Sequence, residues 1–165
     1  MGVKLYYPDD TIQHAGVVVG LGGVAAHVLC KLPRDAEGYM GRLRCVQEIS
    51  AVTAACMMVK TSVFKAVGGF DEELKVAFND IDLCMKVRKY GVKIVFTPYA
   101  ELYHYESKSR GMEDTPEKQL RFSREVNCFR RKWERELLKG DPYYNPNLTL
   151  NNTDCSLRKQ EKNGD

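Results

Sequence analysis

The sequence predicts an α/β domain built on a small sheet, and three observations carry that prediction. Short apolar runs rich in β-branched and aromatic residues, at 5–7, 13–19 and 92–97, are bounded by glycine, proline or aspartate, as strands are. Two longer segments, 80–90 and 116–139, have the starts, apolar spacings and stops of helices. Strand, helix, strand and helix follow in that order, with about four strands and the helices mostly after them. The pattern looks like the second half of a larger α/β domain.

Each element has a local reason. Leu5, Tyr6 and Tyr7 form a short strand turned by Pro8-Asp9-Asp10, and a second strand at 13–19 holds Val17-Val18-Val19 before Gly20-Leu21-Gly22-Gly23 ends it. Residues 31–44 are a polar loop with Pro33, Gly38 and Gly41. A buried strand is expected at 54–59, and a short helix at 61–67 is stopped by Gly68-Gly69. Asn79 is placed at the N-cap of the 80–90 helix, with Asp82 at capping-box spacing and Gly91 as the stop. Its apolar face is Ile81, Leu83, Cys84, Met85 and Val87. The strand at 92–97 is expected to end at Pro98, with extended chain running on to Tyr105. Pro116 opens the long helix, in which Phe122, Val126, Phe129, Trp133 and Leu137 recur at spacings of 4, 3, 4 and 4. The domain is drawn at 1–157, with 158–165 as a polar tail expected to be disordered.

Composition bounds the function. The chain has 165 residues, 44% hydrophobic and 28% charged, which fits one globular domain and excludes wholesale disorder. The longest apolar run, 49–59, falls far short of the roughly 20 residues a bilayer span needs. MGVKLYYPDD has no apolar core of the kind a signal peptide needs, so a cytoplasmic setting is expected. None of the six cysteines forms a C-x-x-C pair, and buried reduced thiols are expected. The net charge is only +3, yet residues 117–139 hold eight Lys/Arg against four Glu. That basic helix points to a phosphate-rich or acidic lipid surface more than to nucleic acid. It leaves peripheral association with the inner face of the plasma membrane open.

Several chemistries fail on spacing. Gly20-x-Gly22-Gly23 is not a dinucleotide fingerprint, and it reads as a strand-end turn. His14, His27 and His104 share no zinc spacing, no G-x-S-x-G is present, and Asp9-Asp10 reads as a turn. The carboxylates at 79–82 are different, since they sit at a helix start. They either satisfy the helix terminus, or one of them faces a cleft and takes a proton from a substrate hydroxyl. His104 either makes an ordinary hydrogen bond or ligates a divalent cation, with Arg110 six residues on as a phosphate partner.

With those residues in view, the chain resembles the C-terminal half of the family 2 glycosyltransferases, the inverting A-type enzymes that use nucleotide-diphosphate sugars, and among them bacterial rhamnosyltransferase-like polysaccharide enzymes. YYPDDTIQHAGVVVGLGGVAAH, LPRDAEGYMGRL, SAVTAACMMVKTSVFKAVGGFDEEL, AFNDIDLCMKVRKYG, VFTPYAELYHYES and DPYYNPNLTL carry the resemblance in that order. It implies a partial A-type nucleotide-diphospho-sugar transferase fold: a small mixed sheet, flanking helices and a long C-terminal helix. Position by position, it implies Asp80 as catalytic base and Asn79 in place of the family's usual Glu. Asp82 would either brace the helix start or line the acceptor site. It implies Asp71, in the GGFDEE segment, on the acceptor wall, the 32–43 loop near the acceptor, His104 as a ligand of Mg2+ or Mn2+, and Arg110 on the diphosphate.

The family's donor half, with its nucleotide-binding strands and D-x-D metal motif, is not matched. The expectation is a glycosyltransferase fragment for cell-surface polysaccharide synthesis that cannot bind a sugar nucleotide tightly alone. Its substrates would be a nucleotide-diphosphate sugar and a glycan or lipid-linked acceptor, and self-association through an open sheet edge is expected. The alternative is a non-catalytic remnant or docking module that pairs with a separate donor-binding chain. A membrane-surface module driven by the basic helix is a third reading.

Overall fold

The computed structural model describes residues 1–105 and 115–159, and it is a mixed α/β fold. Its strands are β1 (Gly2–Tyr6), β2 (Ile12–His14), β3 (Val17–Val19), β4 (Ala25–His27), β5 (Gln47–Glu48) and β6 (Val95–Tyr103). Its helices are α1 (Thr61–Ala66), α2 (Asn79–Lys89) and α3 (Pro116–Lys139). The main sheet has the order β2-β1-β6-β5, with β1 parallel to β6 and the two outer pairings antiparallel. β3 and β4 form a separate antiparallel pair.

Three elements depart from expectation, each for a local reason. The apolar run at 13–19 is not one strand. Gly16 takes φ 109°, in the left-handed half of conformational space, and sends β2 and β3 to different sheets. A Cβ at position 16 would stand 2.9 Å from Ile49 Cδ1, so the close approach also favours glycine. The stretch expected to be a buried strand at 54–59 begins instead as a 3-10 turn, Ala54–Cys56, with Ala54 and Ala55 exposed. Thr53 caps that turn, its Oγ1 accepting the Ala55 N–H at 3.3 Å, and so competes with strand pairing. β6 does not stop at Pro98 but runs on to Tyr103. The β1–β6 register jumps from Val3↔Thr97 to Lys4↔Glu101, which sets 98–100 in a bulge where the missing proline N–H breaks no ladder bond.

α2 begins as expected in sequence but not in capping. Phe78, not Asn79, is the N-cap, at φ 64° and with no side-chain cap bond. Tertiary packing outweighs the local cost. The Phe78 ring lies 5.7 Å from that of Phe122 and 5.4 Å from that of Phe129 on α3. α3 spans the predicted residues and is capped by Thr115 Oγ1, which accepts the Lys118 N–H. Of its stripe, Phe129 and Trp133 are fully buried, Val126 and Leu137 half-buried, and Phe122 exposed. The core lies between β2, β3 and the 49–52 segment on one side and α2 and α3 on the other.

None of the six cysteines is in a disulfide, but only Cys84 and Cys155 are buried, and Cys45 is exposed. Burial pushes the Cys84 thiol up to about 12, which makes it a poor nucleophile. The Arg158 N–H bonds the Asn147 carbonyl at 2.8 Å, and 160–165 lie outside the described residues. Among the described residues, no helix is long and apolar enough to cross a membrane.

Candidate functional site

The start of α2 places Asp80 and Asp82 on different faces, as two residues apart on a helix must be. Asp80 is half-buried and meets the 53–56 turn. Its Oδ2 accepts the Ala54 N–H at 3.0 Å and its Oδ1 accepts the Ile81 N–H at 2.9 Å. Each carboxylate oxygen has two lone pairs, so each retains capacity to accept from a hydroxyl.

A histidine pair holds the other side of the same turn. The Thr53 N–H points at His14 Nε2 at 3.4 Å, and His14 Nδ1 lies 2.9 Å from His27 Nδ1. An amide N–H only donates, so Nε2 of His14 accepts and its Nδ1 carries the proton, which it donates to His27. His14 is completely buried. That burial, and next the neighbouring His27, hold its pKa well below the usual histidine value, so it is neutral at pH 7. Asp80 and His14 thus grip one turn from two elements. Reading the sequence by local spacing misses this pair, because His14 and His27 sit on strands of different sheets.

Asp82 lies in a different setting. It is completely buried. Its Oδ1 accepts the Trp133 Nε1–H at 2.9 Å and pairs with Lys132 Nζ at 2.7 Å, while Lys86 Nζ stands 3.0 Å from Oδ2. Asp82 ties α2 to α3 and has no exposed surface. Lys132 also bonds the Asp71 carboxylate. Burial opposes the Lys132 charge, but the bonds from Asp71 and Asp82 prevail and raise its pKa, while the Lys132 bond lowers that of Asp71. Asp71 and Asp82 therefore share one cation of α3. Asn79 is the half-buried first residue of α2. Glu125 of α3, also buried, accepts the Val76 and Ala77 N–H groups at 3.1 and 2.9 Å and so fixes the chain entering α2.

His104 follows β6 and extends its pairing, its N–H donating to the Tyr6 carbonyl at 3.0 Å. Gln13 grips it at two points. Gln13 Nε2 donates to the His104 carbonyl at 3.4 Å, and Gln13 Oε1 lies 2.8 Å from His104 Nδ1. Because the carbonyl only accepts, the amide orientation is set, Nδ1 carries the proton, and Nε2 presents a lone pair. That is the arrangement a metal-ligating imidazole needs, so His104 fits one ligand position for a divalent cation. Among the described residues, no three His, Cys, Asp or Glu side chains gather to hold a metal by themselves. Gln13 and His14 are consecutive in β2, so His104 and the histidine pair attach to opposite faces of that strand. Arg110 lies outside the described residues. Asp9 makes the expected turn, its Oδ1 accepting the Thr11 N–H at 3.1 Å.

No protein-family model matches the chain, and no solved structure matches it significantly. Over 158 residues, 95% of the chain, it is 58% identical to a protein of Sinorhizobium fredii called uncharacterized protein y4gI, of which it covers 17%. Over 166 residues, 100% of the chain, it is 39% identical to the O-antigen biosynthesis protein RfbC of Myxococcus xanthus, of which it covers 13%. A stretch of 62 residues, 38% of the chain, is 36% identical to an N-acetylglucosaminyl-diphospho-decaprenol L-rhamnosyltransferase of Mycobacterium tuberculosis, covering 20% of that protein. The chain thus spans less than a fifth of the two relatives it matches along its length.

Proposed function

We propose that the chain is the acceptor-side, base-bearing half of an inverting family 2 glycosyltransferase that acts in O-antigen or other cell-surface polysaccharide synthesis. The reading rests on Asp80, a half-buried carboxylate whose protein partners are two backbone N–H groups and which keeps lone pairs for a hydroxyl. The O-antigen biosynthesis in the name of the Myxococcus relative and the rhamnosyl transfer in that of the Mycobacterium relative support this reading.

In this reading Asp80 accepts the acceptor hydroxyl proton as that oxygen bonds to the anomeric carbon. The bond from that carbon to the departing nucleotide diphosphate breaks, and its electron pair leaves with the diphosphate. The Ala54 and Ile81 N–H groups hold the base still, and the His14–His27 pair holds the turn that supplies one of them. His104 Nε2 is the chain's contribution to a Mg2+ or Mn2+ site. Bound there, the cation would offset the charge growing on the diphosphate. Asn79, beside Asp80, is the proposed acceptor contact, and Asp71, bonded by Lys132, is the proposed acceptor wall.

The test is sugar transfer from a panel of nucleotide-diphosphate sugars to glycan and lipid-linked acceptors, run with the chain joined by a donor-binding half supplied in trans. General-base assistance is worth about 10²–10⁴-fold, so Asp80→Asn lowers transfer by that factor. Activity within threefold of wild type, or none with any donor half, refutes the assignment.

A further inference from the structure

The face of β1 opposite Leu5, whose register partner is His14, carries a second constellation. Side chains alternate along a strand, so Lys4 projects opposite to Leu5, and its register partner is Glu101 of β6. Lys4 is only 5% exposed. Its ammonium pairs with Glu101 Oε1 at 3.9 Å, beyond hydrogen-bond reach. Glu101 is already engaged, with Oε1 accepting from Tyr6 Oη and Oε2 from Arg34 Nη2, both at 2.7 Å. The Lys4 ammonium therefore brings three N–H donors to an opening of about 500 Å³ walled by Arg34, Arg44, Pro98, Tyr99 and Glu101.

Lys4, Arg34 and Arg44 line the opening with Asp35 and Glu101, while Asp10 and Glu37, which pair with the two arginines, are not in its lining. Arg34 is fixed by Asp10, Tyr103 and Glu101, with the Tyr6 ring 4.5 Å from its guanidinium carbon. Arg44 donates to the Asp35 carbonyl at 3.1 Å and pairs with Glu37 at 3.4 Å, in a contact where both side chains are mostly exposed. Burial pulls the Lys4 pKa down, Glu101 works against it, and Arg44 and Arg34 add to the lowering. A mostly buried lysine whose carboxylate partner stands 3.9 Å away keeps N–H donors to spare, and an acceptor entering the opening takes them up.

We propose that this opening is an anion site that takes a phosphoryl or carboxylate group against the Lys4 ammonium, with the Arg44 guanidinium as second contact. Pro98 and the exposed Tyr99 ring form an apolar flank for the rest of such a ligand. The site owes nothing to Asp80 and stands whatever that residue does.

The experiment is a nitrogen-15 NMR titration of the chain at low ionic strength, with inorganic phosphate and separately with acetate. Saturable shifts of the Lys4, Arg44 and Glu101 amides are expected, and the tighter of the two anions distinguishes a phosphoryl from a carboxylate site. Lys4→Met weakens that binding about tenfold. Arg44→Ala, a surface change, weakens it severalfold and decides the matter if Lys4→Met does not fold. Shifts that never saturate with either anion, or affinity unchanged in Arg44→Ala, overturn the proposal.

Discussion

Replacing Asp82 by alanine tests the junction that holds α2 in place. The substitution leaves the Trp133 indole N–H without its acceptor inside the core and removes the carboxylate that Lys132 and Lys86 share. An unsatisfied buried donor costs about 1–3 kcal/mol, and breaking a buried ion pair costs about 3–5 kcal/mol. The two are not additive here. Lys132 keeps Asp71, and Lys86 keeps the Gly69 carbonyl, so neither ammonium is stranded. The net expectation is about 3–4 kcal/mol, or a fall in Tm of roughly 10 °C for a chain of this size. Asp82→Asn keeps an acceptor for the indole and should cost about half as much. Urea melts followed by far-ultraviolet circular dichroism measure both, and adding Trp133→Phe closes a double-mutant cycle whose coupling should exceed about 1 kcal/mol. A loss below about 1 kcal/mol for Asp82→Ala, or a coupling near zero, refutes the assignment of Asp82 as the α2–α3 brace.

Three further outcomes follow from the geometry. His14 is neutral in the fold and titrates near 6.5 when unfolded. Stability is therefore flat above about pH 6.5 and falls by up to about 1.4 kcal/mol per unit below it, as the unfolded chain alone takes the proton. Urea melts at pH 7.5 and 5.5 should show that slope in wild type and a shallower one in His14→Gln, and equal slopes would count against it. Gly16→Ala should destabilise by about 1–3 kcal/mol, from its φ of 109° and the 2.9 Å approach of Ile49, and a neutral thermal melt would contradict this. His104→Ala should raise the divalent-cation concentration needed for half-maximal transfer, and an unchanged metal titration removes His104 from the ligand role.

Much of the fold could be read in the sequence because periodicity and end signals agree. α3 starts at Pro116 and stops before Gly140, and its deepest side chains, Phe129 and Trp133, lie on the stripe that the spacing marks out. Asp80 is legible as a carboxylate in the first turn of α2. What escaped is set by contacts distant in sequence. Phe78 takes the N-cap because aromatic rings of α3 receive it, and Pro98 sits inside a strand because β1 runs in parallel past a bulge. Asp82 and Asp80 look interchangeable in N-D-I-D, and only Trp133 and Lys132, some fifty positions on, separate their roles.

The parallel pairing of β1 with β6 also governs how the chain reaches its fold. Gly2 must find Phe96, so the central ladder closes a loop that contains α1, α2 and every other strand. Closing so large a loop is entropically uphill until the ladder rewards it, which makes this a slow, late-zipping topology. On a ribosome, β1 would emerge long before its partner β6, with the Val17–Val19 hydrophobes uncovered meanwhile. Residues 95–103 are thus the segment whose synthesis commits the polypeptide to its native arrangement.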